Sequence, residues 1–274
     1  MSQNKYKGIE MYFSEEITEK FAQLEQNEKN YRVAAIIDKI LLQETENIEN
    51  PIYVAELGGG AHPDRYHKFF SKLLKEPKGH MDWVDISPYM LKLAEKYLGN
   101  KKYRKRKEVI RFIESDILEY LNRLENKKLD LAIMKYTFEY LKDIKSLFEL
   151  LSKKLKSKGR LIATIDNLRP ELKSYSTNGR YLYNGKEFPD NETRLLKDGD
   201  SFMIKFFKVS GDHSSGYLEG AEVVKYYHSP EKIKRLAGFL GFDIFLGDWK
   251  DFISPERQKG EEISQNILVL TKKI

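Results

Sequence analysis

The sequence predicts a doubly wound α/β fold carrying a small β-rich insertion. Three observations predict it. Five short apolar runs alternate with segments of helical periodicity between residues 30 and 165. Two predicted helices open on a capping serine followed by proline, at Ser87 and Ser229. The alternation then breaks for about 60 residues before helix and strand patterns return. Strand–helix alternation of this kind gives a parallel sheet with right-handed crossovers.

Taken in order, "NYRVAAIIDKIL" (30–41) reads as an amphipathic helix. The strands are "IYVAEL" (52–57), "HMDWVDI" (80–86), "VIRFI" (109–113), "LDLAIM" (129–134) and "GRLIATI" (159–165). Short, nearly continuous apolar runs are expected of strands covered on both faces. Ser87 and Pro88 open a helix with Met90, Leu91, Ala94, Tyr97 and Leu98 on one side, and Gly99 stops it. "YLKDIKSLFELLSKKLKSKG" reads as another helix, striped by Leu141, Ile144, Leu147, Phe148, Leu151 and Leu155 and stopped by Gly159. Residues 166 to 228 hold the turn signals "TNGR", "YNGK", "KDGD" and "VSGD" and the β-rich runs "SFMIKFFKV" and "AEVVKYYH". So long an interruption reads as a β-rich substrate cap rather than a plain loop. A helix at "SPEKIKRLAGFLGF", ended by Gly241, and the strands "FDIFLG" and "NILVLTKK" complete the pattern. The expected divisions are an N-terminal candidate lid (1–29), a binding core (30–165), the insertion (166–228) and a C-terminal part of the core (229–274).

Composition narrows the function classes. Forty-one per cent hydrophobic residues support a sizeable core, and no apolar run approaches the length of a membrane span. The opening "MSQNKYKGIEMYF" shows no apolar h-region, so a cytoplasmic location is expected. With no cysteine, disulfides, thiolate metal sites and cysteine nucleophiles are excluded. No metal-ligand spacing stands out, and no metal is expected. Forty-eight basic residues against 42 acidic ones give a net charge of only +6. The one dense basic run, "KKYRKRK" (101–107), reads as a solvated loop, so a nucleic-acid partner is not expected.

The chemistry gathers at the ends of the predicted strands. Gly58, Gly59 and Gly60 follow the first, but Pro63 stands where a dinucleotide fingerprint needs its third glycine. A P-loop ending in Gly-Lys-Ser/Thr is absent. Glu56 suits a cationic ligand better than a pyrophosphate. Asp85, ending the second strand, is placed to accept both hydroxyls of a ribose, and Asp116 can accept from an exocyclic amine. A ligand with ribose, adenine amine and positive charge but no phosphate fits this set.

"VAELGGGAHPDRY", "MDWVDISPYMLKLAEKYL", "IRFIESDIL", "LDLAIMKYTFEYL" and "LKSKGRLIATID" resemble the ordered motifs of class I S-adenosylmethionine-dependent methyltransferases. The resemblance runs from about 30 to 165 and resumes at 226 to 273, where it implies an antiparallel seventh strand. It also implies S-adenosyl-L-methionine as cofactor and S-adenosyl-L-homocysteine as product. Glu56, Gly58, Gly59 and Gly60 would hold the methionine moiety, with His62 where a further glycine often sits. Asp85 would hold the ribose, and Ile86 would pack on the adenine. Asp116 would take the adenine amine beside Ser115, and Ile117 would donate from its backbone. Lys135 and Tyr136 would face the sulfonium.

For catalysis the candidates are His228, Tyr136 and Glu139. Tyr12 is a candidate cofactor contact from the N-terminal segment. Methyl transfer to O or N of a small metabolite or biosynthetic intermediate is the expected activity. An RNA-associated methyltransferase-like protein is the alternative, and a nicotinamide-dependent oxidoreductase is disfavoured by Pro63.

Overall fold

The computed structural model describes residues 8–24, 26, 28–49, 51–63, 66–75, 77–100, 103–165, 168–252 and 266–274. Its centre is a seven-stranded sheet of β1 (Tyr53–Leu57), β2 (His80–Asp85), β3 (Ile110–Glu114), β4 (Leu129–Met134), β5 (Leu155–Ile165), β11 (Phe242–Asp248) and β12 (Asn266–Lys272). The strand order is β11-β12-β5-β4-β1-β2-β3, with β12 antiparallel to both neighbours. The remaining pairs among β1 to β5 are parallel. The sheet's order reverses at β1 and β4, whose C-terminal ends therefore flank a crevice.

Helices cover both faces. On one side lie α2 (Glu28–Glu44) and α3 (His67–Leu73). Ile36, Ile37, Ile40, Phe69 and Phe70 are buried there against Trp83, Leu131 and Ile162 of the sheet. The other side carries α5 (Ile117–Arg123), α6 (Ile144–Lys154) and α7 (Pro230–Phe239). Leu121, Leu147, Phe148, Leu151 and Ile233 are buried there with Ala132, Met134 and Leu268. Each such side chain contributes about 1.5–3 kcal/mol on full burial. All six residues of β4 are buried, as a strand between two helical layers requires.

The caps act largely as the sequence predicts. Ser87 Oγ accepts from Met90 N at the start of α4 (Pro88–Leu98), and Ser229 Oγ accepts from Lys232 N at the start of α7. One expectation fails. Gly159 does not stop the third predicted helix; α6 already ends at Lys154, and residues 155 to 160 are part of β5. The reason lies across the sheet, where Leu155 pairs with Leu129 and is fully buried. Leu155 extends the helical stripe in sequence but is a strand residue in space. The same helix also begins later than its pattern suggests, at Ile144, with Asp143 as its cap.

Residues between β5 and α7 form two small antiparallel sheets. One joins β10 (Tyr217–Tyr226), β9 (Ser201–Phe207) and β7 (Gly179–Tyr183), and the other joins β6 (Glu171–Lys173) to β8 (Thr193–Leu195). The N-terminal segment comprises a 3₁₀ turn (Glu10–Phe13) and α1 (Glu15–Leu24). Its Met11, Phe21 and Ala22 share a small core with Met90 of α4 and Ile204, Phe206 and Val223 of the insertion. The Gly8 carbonyl accepts from Val224 N. The two additions are thus packed on each other above the crevice. Among the described residues no helix is long and apolar enough to cross a membrane.

Candidate functional site

The glycine turn is shaped by what presses on it. Gly58 and Gly60 have φ of +77° and +62°, a region that L side chains rarely adopt. A Cβ at Gly59 would overlap the Trp83 indole, whose Nε1 donates to the Gly60 carbonyl at 2.9 Å. A Cβ at Gly60 would meet nothing within 4 Å, so this glycine borders open space.

That space is a cavity at the carboxyl ends of β1, β2, β3 and β4. Gly58, Gly60, Asp85, Ile86, Ser115, Asp116, Ile117, Lys135 and Tyr136 line it, so nine of the twelve residues that the resemblance implies for cofactor binding come together. Ile9, Tyr12 and Phe21 close it from the N-terminal segment, and Met90, Thr137, Tyr140 and Leu141 complete the wall. Asp85 Oδ2 accepts from Gly60 N at 2.8 Å and Oδ1 from Ser87 N at 2.9 Å. The carboxylate is thereby fixed in place at the cavity wall. Asp116 caps α5, its Oδ1 accepting from Leu118 N and Glu119 N. Tyr136 has φ of +58°, and its N–H donates to Thr164 Oγ1 at 2.8 Å. A non-glycine residue in that region is strained, and here it borders the cavity.

Three of the residues expected to bind the cofactor are not in this wall. Gly59 packs under Trp83. His62 is buried rather than at the surface; its Nε2 lies 3.0 Å from the Ala22 carbonyl and its ring lies against Tyr97. It ties the glycine turn to α1. Glu56 is fully buried beneath the cavity, where the Tyr66 hydroxyl donates to its carboxylate at 3.0 Å. Lys135 is also buried, its ammonium 5.6 Å from the centre of the Tyr66 ring. Burial pushes the Glu56 carboxyl up to about 7, against the opposing pull of the Lys135 ammonium and the Tyr66 hydroxyl.

This has a sign that can be measured. The folded-state value lies above the unfolded one, so ionisation is penalised in the fold. The penalty grows as pH rises from about 4.5 to about 7 and is complete above that. Relative to Glu56→Gln, the native chain is expected to lose about 3 kcal/mol of unfolding free energy between pH 4.5 and 7.5. Urea titrations across that range check it, and a pH-independent difference between the two proteins counts against it.

The other two catalytic candidates line a second, larger cavity of about 790 Å³ between the sheet end and the insertion. Glu139 and His228 lie in its wall with Phe138, Lys225 and the aromatic rings of Tyr181, Phe202, Tyr226 and Tyr227. Residues 136 to 141 separate the two cavities: Tyr136, Thr137, Tyr140 and Leu141 line the first, and Phe138 and Glu139 the second.

Sequence reasoning missed Tyr66, Trp83 and Thr137. Thr137 Oγ1 donates to the Gly58 carbonyl at 3.2 Å, clamping the turn across two strands. Only the glycine triplet, which implies something close above it, hinted at such neighbours. In the basic run, Lys101 and Lys102 lie outside the described residues, and so do Asp64 and Arg65 of "HPDRY". Arg106 is buried, its guanidinium stacked over Phe70 and Tyr103. That removes one cation from the exposed face. Among the described residues no group of three or more His, Asp and Glu side chains could hold a metal ion.

Comparison with known proteins gives a consistent picture. Residues 66–163 match the family model of a methyltransferase domain. The chain is 30% identical over 170 residues to malonyl-[acyl-carrier protein] O-methyltransferase 2 of Ilyobacter polytropus, covering 57% of this chain and 59% of that protein. It is 29% identical over 154 residues to malonyl-[acyl-carrier protein] O-methyltransferase 1 of the same organism, at 51% and 54% coverage. The chain thus spans between half and three-fifths of the length of these curated relatives. An S-adenosylmethionine-dependent methyltransferase from Clostridium acetobutylicum superposes with a TM-score of 0.56 at 18% identity, covering 93% of this chain and 99% of that one. An amino pentose methyltransferase from Micromonospora echinaspora, solved with bound S-adenosylmethionine, gives 0.52 at 14% identity and 93% and 96% coverage. At these identities the structural likeness is one of fold.

Proposed function

We propose that this chain, which shares the fold and a matched domain of methyltransferases, transfers a methyl group from S-adenosylmethionine to O or N of a small molecule. The observation that carries the reading is the cavity at the sheet's reversal point. It sets the fixed Asp85 carboxylate against Asp116 and the open side of Gly60. These groups fit an adenosyl ligand, and the two carboxylates in the wall would repel a pyrophosphate.

When bound, the cofactor supplies an electrophilic methyl group on a sulfonium. The chain's own residues bind it, hold the acceptor in line and exclude water. Asp85 would accept from the ribose hydroxyls, and Asp116 from the adenine amine, between the flanking side chains of Ile86 and Ile117. Gly58 and Gly60 would let the backbone approach the methionine moiety, with Ser115 and Tyr136 in the same wall. Lys135 carries a charge suited to the methionine carboxylate rather than to the sulfonium. Glu56, Gly59 and His62 would act from behind, holding the turn and Lys135 in place. Ile9, Tyr12 and Phe21 would make the N-terminal segment a lid. The insertion would be the substrate cap, with the larger cavity as acceptor site and Tyr136, Glu139 and His228 nearest the reaction.

The malonyl-[acyl-carrier protein] specificity of the relatives makes a carrier-bound acyl group one acceptor class to test alongside free metabolites. Calorimetric titration with S-adenosylmethionine and S-adenosylhomocysteine tests the core of the proposal. Micromolar binding of both is expected, and binding of neither at high micromolar concentration refutes it.

A further inference from the structure

Resting on the methyltransferase reading above, we infer that His228 is a general base and that the acceptor is a hydroxylated aromatic or enol. The side chain sits where β10 leads into α7, immediately before the Ser229 cap, and is only 4% exposed. Its Nε2 lies 2.7 Å from the Leu141 carbonyl oxygen. A carbonyl only accepts, so the ring donates from Nε2 and Nδ1 carries the lone pair. That Nδ1 is buried with no hydrogen-bond partner among the described residues. A buried, unmatched nitrogen is costly unless something else in the molecule's working cycle satisfies it. His228 lines the 790 Å³ cavity, while Leu141, which orients it, lines the cofactor cavity. The imidazole therefore sits against the wall between the two proposed ligands.

The surroundings keep this base neutral. Burial lowers its basicity, the Leu141 carbonyl raises it, and Lys232 of α7 lowers it while Asp198, before β9, raises it. Glu139 and Lys225 share the cavity wall, with Glu171, Arg169 and Lys173 further round it. A neutral imidazole at physiological pH is ready to take a proton.

The acceptor class follows from what needs such a base. A carboxylate is already ionised at neutral pH and gains nothing from one, whereas a phenolic or enolic hydroxyl must lose its proton as it attacks. The wall of Phe138, Tyr181, Phe202, Tyr226 and Tyr227 suits a planar ring. The Lys225 ammonium, 5.5 Å from the Tyr140 ring centre, adds positive charge near the developing oxyanion. In the step, an acceptor oxygen lone pair forms the bond to the methyl carbon. The carbon–sulfur bond breaks with its electron pair going to sulfur, and the hydroxyl proton moves to Nδ1 of His228. The proton then leaves to water.

The test uses His228→Gln, whose amide can still donate to Leu141 but cannot act as a base, and His228→Ala beside it. S-adenosylhomocysteine release is followed with S-adenosylmethionine and catechol, 1-naphthol or a hydroxynaphthoquinone, against benzoate and a malonate half-ester. Transfer to hydroxyl acceptors is expected, with kcat lowered at least about 100-fold in both variants. In the native chain kcat/KM rises through a limb below pH 6.5, and this limb is lost in His228→Gln. Independently of turnover, the ¹⁵N spectrum of the five histidines, assigned by the resonance that His228→Gln removes, should show an Nε2-protonated tautomer. Its Nδ1 signal should shift on adding catechol with S-adenosylhomocysteine. Calorimetry on the same samples separates the two readings: no cofactor binding by the native chain refutes the methyltransferase proposal itself. Cofactor binding with transfer only to carboxylates, with no transfer to any hydroxyl, or with equal rates and profiles in His228→Gln, overturns the base and its acceptor class.

Discussion

Asp85→Ala is expected to weaken S-adenosylhomocysteine binding by about 100-fold or more in calorimetry, making it the most damaging single change at the cofactor cavity. A hydrogen bond to a charged group contributes about 1.5–3 kcal/mol, and two ribose hydroxyls would share this carboxylate. The same substitution removes the acceptor for Gly60 N and Ser87 N, so the glycine turn and the start of α4 lose a common anchor. Asp85→Asn separates these contributions. It keeps one carbonyl oxygen and the side-chain shape but loses the charge and one acceptor, so an intermediate loss of about tenfold is expected. Affinity within threefold of the native chain for Asp85→Ala would sink the ribose assignment while leaving the fold untouched.

The largest expected effect on stability belongs to Trp83→Ala, at about 4 kcal/mol. Trp83 is fully buried in the middle of β2, packs against Tyr66 with ring centres 6.2 Å apart, and covers Gly59. Its indole also donates to the Gly60 carbonyl. Truncation leaves a cavity beneath the turn and an orphaned carbonyl above it, and both costs add. Urea unfolding at fixed pH measures the loss, and a decrease under 1 kcal/mol would be inconsistent with this packing. Trp83→Phe refills much of the space without the donor and should cost about 1–2 kcal/mol. Because the ring supports the turn that borders the cofactor cavity, Trp83→Ala should weaken S-adenosylhomocysteine as well.

These two residues show how unevenly the site could be read in advance. Asp85 was legible as a candidate ligand residue, a carboxylate ending the second strand once Ser87 is seen to cap the helix, and it lies in the cavity wall. Trp83, two positions earlier, looks in sequence like any other core aromatic. Its role against Gly59 and Gly60 exists only because β1 and β2 are parallel neighbours in register. Glu56 was legible as an acid at a strand end but not as a buried one. The Tyr66 hydroxyl and the Lys135 ammonium that accompany it come from α3's entrance and the end of β4. His62 went the same way, from a loop residue in sequence to a buried tie between the glycine turn and α1.

The sequence by itself determined the alternation of strand and helix, most strand positions, the caps at Ser87 and Ser229, and the cluster of glycines and acids at strand ends. These are local signals: apolar period, capping side chains and backbone freedom act over a few residues, so a single chain displays them. Only the tertiary structure decided where α6 ends, because Leu155 is held by pairing with Leu129 rather than by its own helical propensity. It also decided that residues 136–141 divide one cavity from another, and that the Leu141 carbonyl meets His228 across 87 positions of chain. Long-range pairing and burial set those positions, and neither leaves a periodic trace in the sequence. The glycine triplet after β1 thus predicted that a ligand could come close, while the fold decided which side chains would stand around it.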